Sequence, residues 1–238
     1  KSFFSFMNGF LILDKPEGLT SAQCVYKLRS KLGIKKIGHC GTLDPLATGL
    51  LPVCIGEATK FSNYASDLDK VYEVGIEFGT ETDTGDITGN IVSKANFQGF
   101  KENFPQFLTD LEGIQNQIPP MYSAIKFNGN PLYYWARKGV YLNRVPRKVV
   151  IQKIKLIDKF DNTAILKVSC SKGTYIRSLI EKLGRNLESF ATVISLRRLE
   201  VGEMHLNHKA CGFEDSYQSL IDKVLPCDAM LRNLNKVR

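Results

Sequence analysis

The chain of 238 residues predicts an α+β fold with a mixed, largely antiparallel central sheet flanked by helices. Three observations lead there. Apolar and polar residues alternate along 70–78, 151–156 and 164–170, the period of half-buried strands. Helical spacing recurs at Val25, Leu28 and Leu32 before Gly33, and again at Ile176, Leu179, Ile180 and Leu183 before Gly184. Strands thus come in pairs with only some helices between them, unlike the regular alternation of a doubly wound sheet.

Taken in order, Phe10-Leu11-Ile12-Leu13 is an apolar run closed by Asp14-Lys15-Pro16-Glu17-Gly18. It predicts a buried strand entering a turn, where proline fixes φ and glycine accepts positive φ. The helix that follows has Thr20 or Ser21 as its cap with Gln23 nearby, and its outer face carries Lys27, Arg29 and Lys31. Residues 37–48, dense in Gly, Pro and Thr, predict a loop, the kind of segment on which chemistry tends to sit. Residues 50–56 then read as a strand and Glu57-Ala58-Thr59-Lys60-Phe61 as a helix start. Gly79 and the 83–89 cluster end the 70–78 strand. From about Val201 the strand pattern fades, and Leu220, Ile221, Val224 and Leu225 predict a short amphipathic helix before Pro226.

Composition bounds the class. Hydrophobic residues at 43% and charged residues at 24% are ordinary for a globular domain and exclude fibrous and disordered chains. No run approaches the ~20 apolar residues of a membrane helix, and the first ten residues lack a secretory pattern, so the expected location is cytoplasmic. Residues 1–6, ahead of Met7, are set aside as an extension. The six cysteines are scattered without a Cys-x-x-Cys pair or a zinc-spaced histidine, which predicts buried thiols and no metal.

The net charge of +8 is unevenly spread. No acidic residue occurs from 113 to 157, where Lys126, Arg137, Lys138, Arg144, Arg147, Lys148, Lys153 and Lys155 are interleaved with Tyr122, Phe127, Tyr133, Tyr134, Trp135 and Tyr141. Cations neutralise phosphates and flat rings stack on bases, so this is an electrostatic footprint for nucleic acid; a solvated basic face is the plain alternative.

Asp44 stands before Pro45 in a glycine-bounded loop, and the residue before proline is held toward extended geometry. An aspartate near its reference pKa of about 3.9 is ionised at neutral pH and can serve as nucleophile, base or electrostatic partner. In isolation a plain turn is the favoured reading of such an Asp-Pro and a surface or hydrogen-bonding residue that of His39, while Thr174 reads as a helix cap. What distinguishes them is their company. Gly9-Phe10-Leu11-Ile12-Leu13-Asp14-Lys15-Pro16, Gly38-His39-Cys40-Gly41-Thr42-Leu43-Asp44-Pro45-Leu46-Ala47-Thr48-Gly49 and Gly56-Glu57-Ala58-Thr59-Lys60 come first. They are followed by Asp69-Lys70-Val71-Tyr72, Thr82-Asp83-Thr84-Gly85-Asp86, Pro119-Pro120-Met121-Tyr122-Ser123-Ala124-Ile125-Lys126, Cys170-Ser171-Lys172-Gly173-Thr174-Tyr175-Ile176-Arg177 and Leu196-Arg197-Arg198.

This ordered set, across roughly residues 8–200, resembles the TruB family of bacterial tRNA pseudouridine-55 synthases. The resemblance implies a pseudouridine synthase catalytic domain over 8–200, with the basic and aromatic 113–157 stretch including an inserted RNA-binding thumb, and 201–238 as a C-terminal packing segment. It implies isomerisation of the T-loop uridine without a cofactor: the base leaves C1′ through N1, turns, and rejoins through C5. Asp44 would be the essential carboxylate, attacking C1′, attacking C6 of the base, or removing a ribose proton. Tyr72 would stack on the target base, and Arg177 would pair with Asp44. Tyr175 and Leu196 would line the pocket, His39 would hold flipped nucleotides, and Lys15 and Lys126 would join the substrate-binding set. The expected partner is the tRNA T-stem-loop, bound by a monomer. Many relatives continue into a PUA-type domain near where this chain stops, so a short form lacking it is expected. Two other functions compete: a tRNA-binding folding helper that acts without catalysis, and a pseudouridine synthase for another RNA.

Overall fold

A computed structural model describes residues 7–206 and 209–228. The extension at 1–6 and the last part of the 201–238 segment lie outside the described residues. In chain order the elements are β1 (Gly9–Lys15), α1 (Ser21–Leu32), β2 (Ile37–His39), β3 (Thr48–Ile55), a 3-10 turn (Gly56–Phe61), α2 (Ser62–Asp67), β4 (Lys70–Phe78), β5 (Thr80–Thr82), β6 (Ile91–Lys94), α3 (Phe104–Thr109) and β7 (Gly113–Gln117). There follow β8 (Lys126–Phe127), β9 (Asn130–Pro131), α4 (Leu132–Arg137), β10 (Arg147–Phe160), β11 (Thr163–Cys170), α5 (Ile176–Asn186), β12 (Ala191–Val201), β13 (Met204–His205) and α6 (Tyr217–Asp222). The α+β class and the mostly antiparallel sheet expected from the sequence are both present. The chain forms two compact units, Lys1–Lys70 with Arg197–Arg238, and Val71–Leu196.

In the first unit α1 begins where its cap predicts. The Thr20 hydroxyl accepts from the Gln23 amide while the Gln23 side chain accepts from the Thr20 amide, and Gly33 ends the helix at φ 66°. These contacts satisfy orphan donors of the first turn and the left-handed stop of the last. Cys24, Val25, Leu28 and Leu32 form its buried stripe. Strand β3 pairs antiparallel with β1 from Gly9↔Ile55 to Lys15↔Gly49. Its other edge takes β2 at one end, antiparallel, and β12 at the other, parallel, with Arg198 opposite Gly49. The expected loop at 37–48 therefore opens with a short strand, because the free edge of β3 offers backbone partners. Cys40 and Cys54 bring their sulfur atoms into contact in this core, with Cα atoms 7.0 Å apart, at the outer limit of what a disulfide spans. Cys24 and Cys211 are free and buried.

Cys211 and Leu225 of this unit lie along β1. Phe10 and Leu225 exchange backbone hydrogen bonds at 2.8 Å, and Cys211 bonds Ile12 and Asp14. Helix α6 stops at Asp222, earlier than the apolar pattern predicts, so that Leu225 can supply this bridge.

In the second unit the strand order is β12-β4-β11-β10-β7. Strand β4 has the bounds that alternation predicts, Lys70–Phe78, with Val74, Ile76 and Phe78 buried. Helix α5 runs past its expected stop to Asn186. Gly184 is no terminator there: a Cβ on it would lie 2.3 Å from the Ala191 amide, so the glycine permits close packing. The acid-free 113–157 stretch begins in β7 and ends in β10, which pair from Arg147↔Gln117 to Ile151↔Gly113. Between them, the short elements β8, β9 and α4 bear exposed Phe127, Tyr133 and Tyr134, and exposed Tyr141 follows α4.

Candidate active site

The structure divides the candidate residues between the units. Lys15, His39 and Asp44 belong to the first; Tyr72, Lys126, Tyr175, Arg177 and Leu196 belong to the second.

Asp44 is partly exposed in a loop whose residues on either side of it, Leu43 and Pro45, are tied down. Its carbonyl accepts from the Ala47 amide at 3.0 Å, closing a turn around Pro45. Leu43, just before it, is buried and uses both backbone groups on one hydroxyl: Ser21 Oγ donates to the Leu43 carbonyl at 3.1 Å and accepts from its amide at 2.9 Å. The Pro45 carbonyl accepts from the Gly18 amide at 2.8 Å and from Lys15 Nζ at 3.2 Å. Farther out, Arg198 donates to the Gly41 and Leu50 carbonyls. Arg197 holds Asp14 through two contacts at 3.0 and 2.7 Å and reaches Thr48 Oγ1 at 3.4 Å. A carboxylate on such a loop keeps its direction without losing access, which catalysis by a positioned group requires.

Lys15, placed by sequence among substrate-binding residues, is fully buried. Its ammonium group donates to the Pro16 and Pro45 carbonyls, so it holds the loop and does not offer a surface contact. Burial lowers its pKa, an effect opposed by Cys24 and Asp44. Burial, and then the Arg198 charge, also hold His39 below the usual histidine range, leaving it neutral at pH 7 with Nδ1 buried and unpartnered.

In the second unit Tyr72 lies on β4 and Leu196 on β12, both buried to within a tenth of full exposure. Gln117 of β7 fastens Tyr175 twice, accepting from its amide at 2.7 Å and donating to its carbonyl at 3.0 Å. Two residues on, Arg177 is buried in the first turn of α5. Its guanidinium donates to the Thr84 carbonyl at 2.7 Å and the Tyr122 carbonyl at 2.8 Å, and its Nε stands 3.9 Å from Asp86 Oδ2. Asp86 is itself held by Thr84 Oγ1 and by the Thr88 amide and hydroxyl. Gly85 between them has φ 76°, and a Cβ there would meet Glu181 Oε1 at 2.4 Å. Burial and then Glu81 raise the pKa of that Glu181 carboxyl. Gln117 has no mark in the sequence, and Asp86 and Tyr122 stand there only as members of longer motifs, without a role beside Arg177. A polar turn such as Thr82-Asp83-Thr84-Gly85-Asp86 announces internal hydrogen bonding, and that was the available signal.

Lys126 is exposed on β8. Nearby, Lys138 lies 4.5 Å over the Tyr134 ring and Arg137 5.5 Å over that of Tyr133. Among the described residues no group of three or more His, Cys, Asp and Glu could hold a metal ion. Among them also, no helix is long and apolar enough to cross a membrane.

Residues 29–176 match the model of the TruB family pseudouridylate synthase, N-terminal domain. A tRNA pseudouridine synthase B of Blochmanniella pennsylvanica is 49% identical over 197 residues, 83% of this chain and 76% of the relative. That of Bordetella avium is 45% identical over 219 residues, 91% of this chain and 89% of the relative. Among solved structures, a chain of a Cbf5-Nop10-Gar1 complex superposes with a TM-score of 0.73 at 24% identity, covering 94% of this chain and 60% of that one. A chain of an archaeal box H/ACA sRNP Nop10-Cbf5 complex gives 0.68 at 21% identity, covering 92% and 59%. At such identities the likeness is one of fold, and this chain spans about three-fifths of those two.

Proposed function

The chain belongs to the TruB family of pseudouridylate synthases and is a tRNA pseudouridine synthase, and we propose that it isomerises the T-loop uridine at position 55, with Asp44 as the carboxylate that meets the nucleotide. The observation that carries this reading is the Asp44 loop: a partly exposed carboxylate whose neighbours Leu43 and Pro45 are each held by two hydrogen bonds.

The reaction conserves atoms. The N1–C1′ bond breaks, the uracil turns, C5 bonds to C1′, the C5 proton leaves and N1 gains one. A base inside a folded loop must first leave its stack, at a cost of a few kcal/mol. In the proposed complex, Tyr72 stacks on the extruded base and receives the C5 proton, Tyr175 and Leu196 wall the pocket, and His39 helps hold the flipped nucleotides. Arg177 is the cation that the family resemblance assigns to the reacting carboxylate. Lys126 and the basic and aromatic residues around α4 grip the RNA backbone and stack on its bases. Lys15 acts through the loop it holds.

The test is pseudouridine formation in unmodified tRNA by wild type and Asp44→Asn, with a T-stem-loop minihelix and a ribosomal RNA fragment as alternative substrates. Loss of product with Asp44→Asn and turnover of the minihelix are expected. Near-wild-type activity of Asp44→Asn removes Asp44 from the chemistry, and preference for the ribosomal fragment removes the T-loop assignment. Wild-type binding of tRNA without product in a single turnover favours a folding helper instead.

A further inference from the structure

We propose that Arg198 is a positioning residue for this reaction, setting both ends of the loop that carries Asp44. The proposal rests on Asp44 being the reacting carboxylate.

Arg198 is among the largest fully buried side chains in the protein. Burying a guanidinium is costly unless its donors and charge are answered. Here both described hydrogen-bond partners are carbonyls: Nε donates to Leu50 at 2.7 Å and Nη2 to Gly41 at 3.2 Å. These two carbonyls flank the loop. Gly41 opens it, and Leu50 is the first residue past Gly49, which closes it.

The backbone of the same residue completes the closure. Arg198 stands opposite Gly49 where β12 and β3 run parallel, and a Cβ on Gly49 would lie 2.3 Å from the Arg198 carbonyl oxygen. Both glycines adopt positive φ, 88° at Gly41 and 95° at Gly49. The loop therefore leaves Arg198 and returns to it.

An arginine retained only for stability would be replaceable by an apolar side chain of similar volume, since buried charge is weak evidence of net stabilisation. Such a side chain would fill the core but hold neither carbonyl. The rigid planar fork of arginine reaches two acceptors at once, and lysine, with a single ammonium group, does not reproduce it. What distinguishes Arg198 is thus control of where the loop's two ends lie, and through them the direction of Asp44. A displacement of about 1 Å in a positioned group can cost on the order of a hundredfold in rate.

The experiment uses the full chain and an unmodified tRNA transcript. It measures the single-turnover rate of pseudouridine formation, the tRNA Kd and the thermal midpoint for wild type, Asp44→Asn, Arg198→Met and Arg198→Lys. Expected for Arg198→Met is a rate loss of about a hundredfold, and for Arg198→Lys about tenfold, with tRNA Kd within about twofold of wild type for both. If the methionine variant does not fold, the lysine variant carries the test. A wild-type rate in the folded variants overturns the proposal. So does a rate loss matched by an equal loss of tRNA affinity or of folded protein, which would mark Arg198 as a purely structural residue. Activity of Asp44→Asn defeats the reading of the site itself, whereas an inactive Asp44→Asn beside a fully active Arg198→Lys defeats only the role given to Arg198.

Discussion

Replacing Gly49 with alanine isolates how tightly the candidate loop is closed, because Gly18 provides a matched control. Both have positive φ, 95° and 83°, so alanine at either pays the steric penalty of that conformation, about 1–2 kcal/mol. Around Gly18 an added Cβ meets nothing within 4 Å. At Gly49 it would stand 2.3 Å from the Arg198 carbonyl oxygen, 2.9 Å from the Arg198 amide and 3.1 Å from Arg197 Cγ. Two of those atoms are backbone and cannot swing aside, so β12 and β3 must separate. Forced insertion into packed structure costs roughly a further 1–3 kcal/mol. Gly49→Ala should lose about 2–5 kcal/mol and Gly18→Ala about 1–2, on the same scales. In urea, with a slope near 3 kcal/mol/M, the two midpoints should then differ by roughly 0.3–1 M. Circular dichroism through the transition measures this directly. Coincident midpoints would show that the β3–β12 contact yields easily and that the loop is not closed as described.

Two other outcomes follow from charges in the same chain. Asp215 is held at a pKa of about 2 by hydrogen bonds from Lys223, then Ser219 and the Gly212 amide. A folded pKa below the unfolded value of about 3.9 gives stability that is present above pH 4 and lost as pH falls through 2. Asp215→Asn should therefore lower the melting temperature at pH 7 by an amount that shrinks between pH 4 and pH 2, and a constant difference across that window refutes the linkage. Lys138→Ala, in the acid-free stretch, should weaken tRNA binding and reduce the slope of log Kd against log salt by about one. An unchanged slope would show that Lys138 meets no phosphate.

The parts legible in the sequence are those whose causes are local. Thr20, Gln23 and Gly33 bound α1 through contacts only three residues apart or through a single φ angle. Alternation marks β4 and β11 because each has one face packed and the other less so. Strand β12 was not singled out from sequence as a strand. Its buried positions do not alternate cleanly, and Arg197-Arg198 interrupts the apolar pattern with two cations that find partners far away in sequence, at Asp14, Gly41 and Leu50. Gly184 misled for a similar reason, since a glycine that ends a helix and one that lets a strand approach are the same letter.

For the candidate site, the residue types and their order were enough to single out Asp44, Tyr72 and Arg177 and to suggest RNA as the partner. The identity of a carboxylate, an aromatic ring or a basic stretch is written residue by residue. Sequence could not show that Lys15 and Arg198 are interior cations bonded to carbonyls, or that Asp86 stands beside Arg177. A lysine or arginine is placed at the surface by default, because the cost of burying it is certain while the acceptors that offset that cost come from distant segments. Those acceptors come together only when β3, β12 and the loop between residues 41 and 49 are folded against one another, so the chemistry was determined by sequence and its aim by tertiary structure.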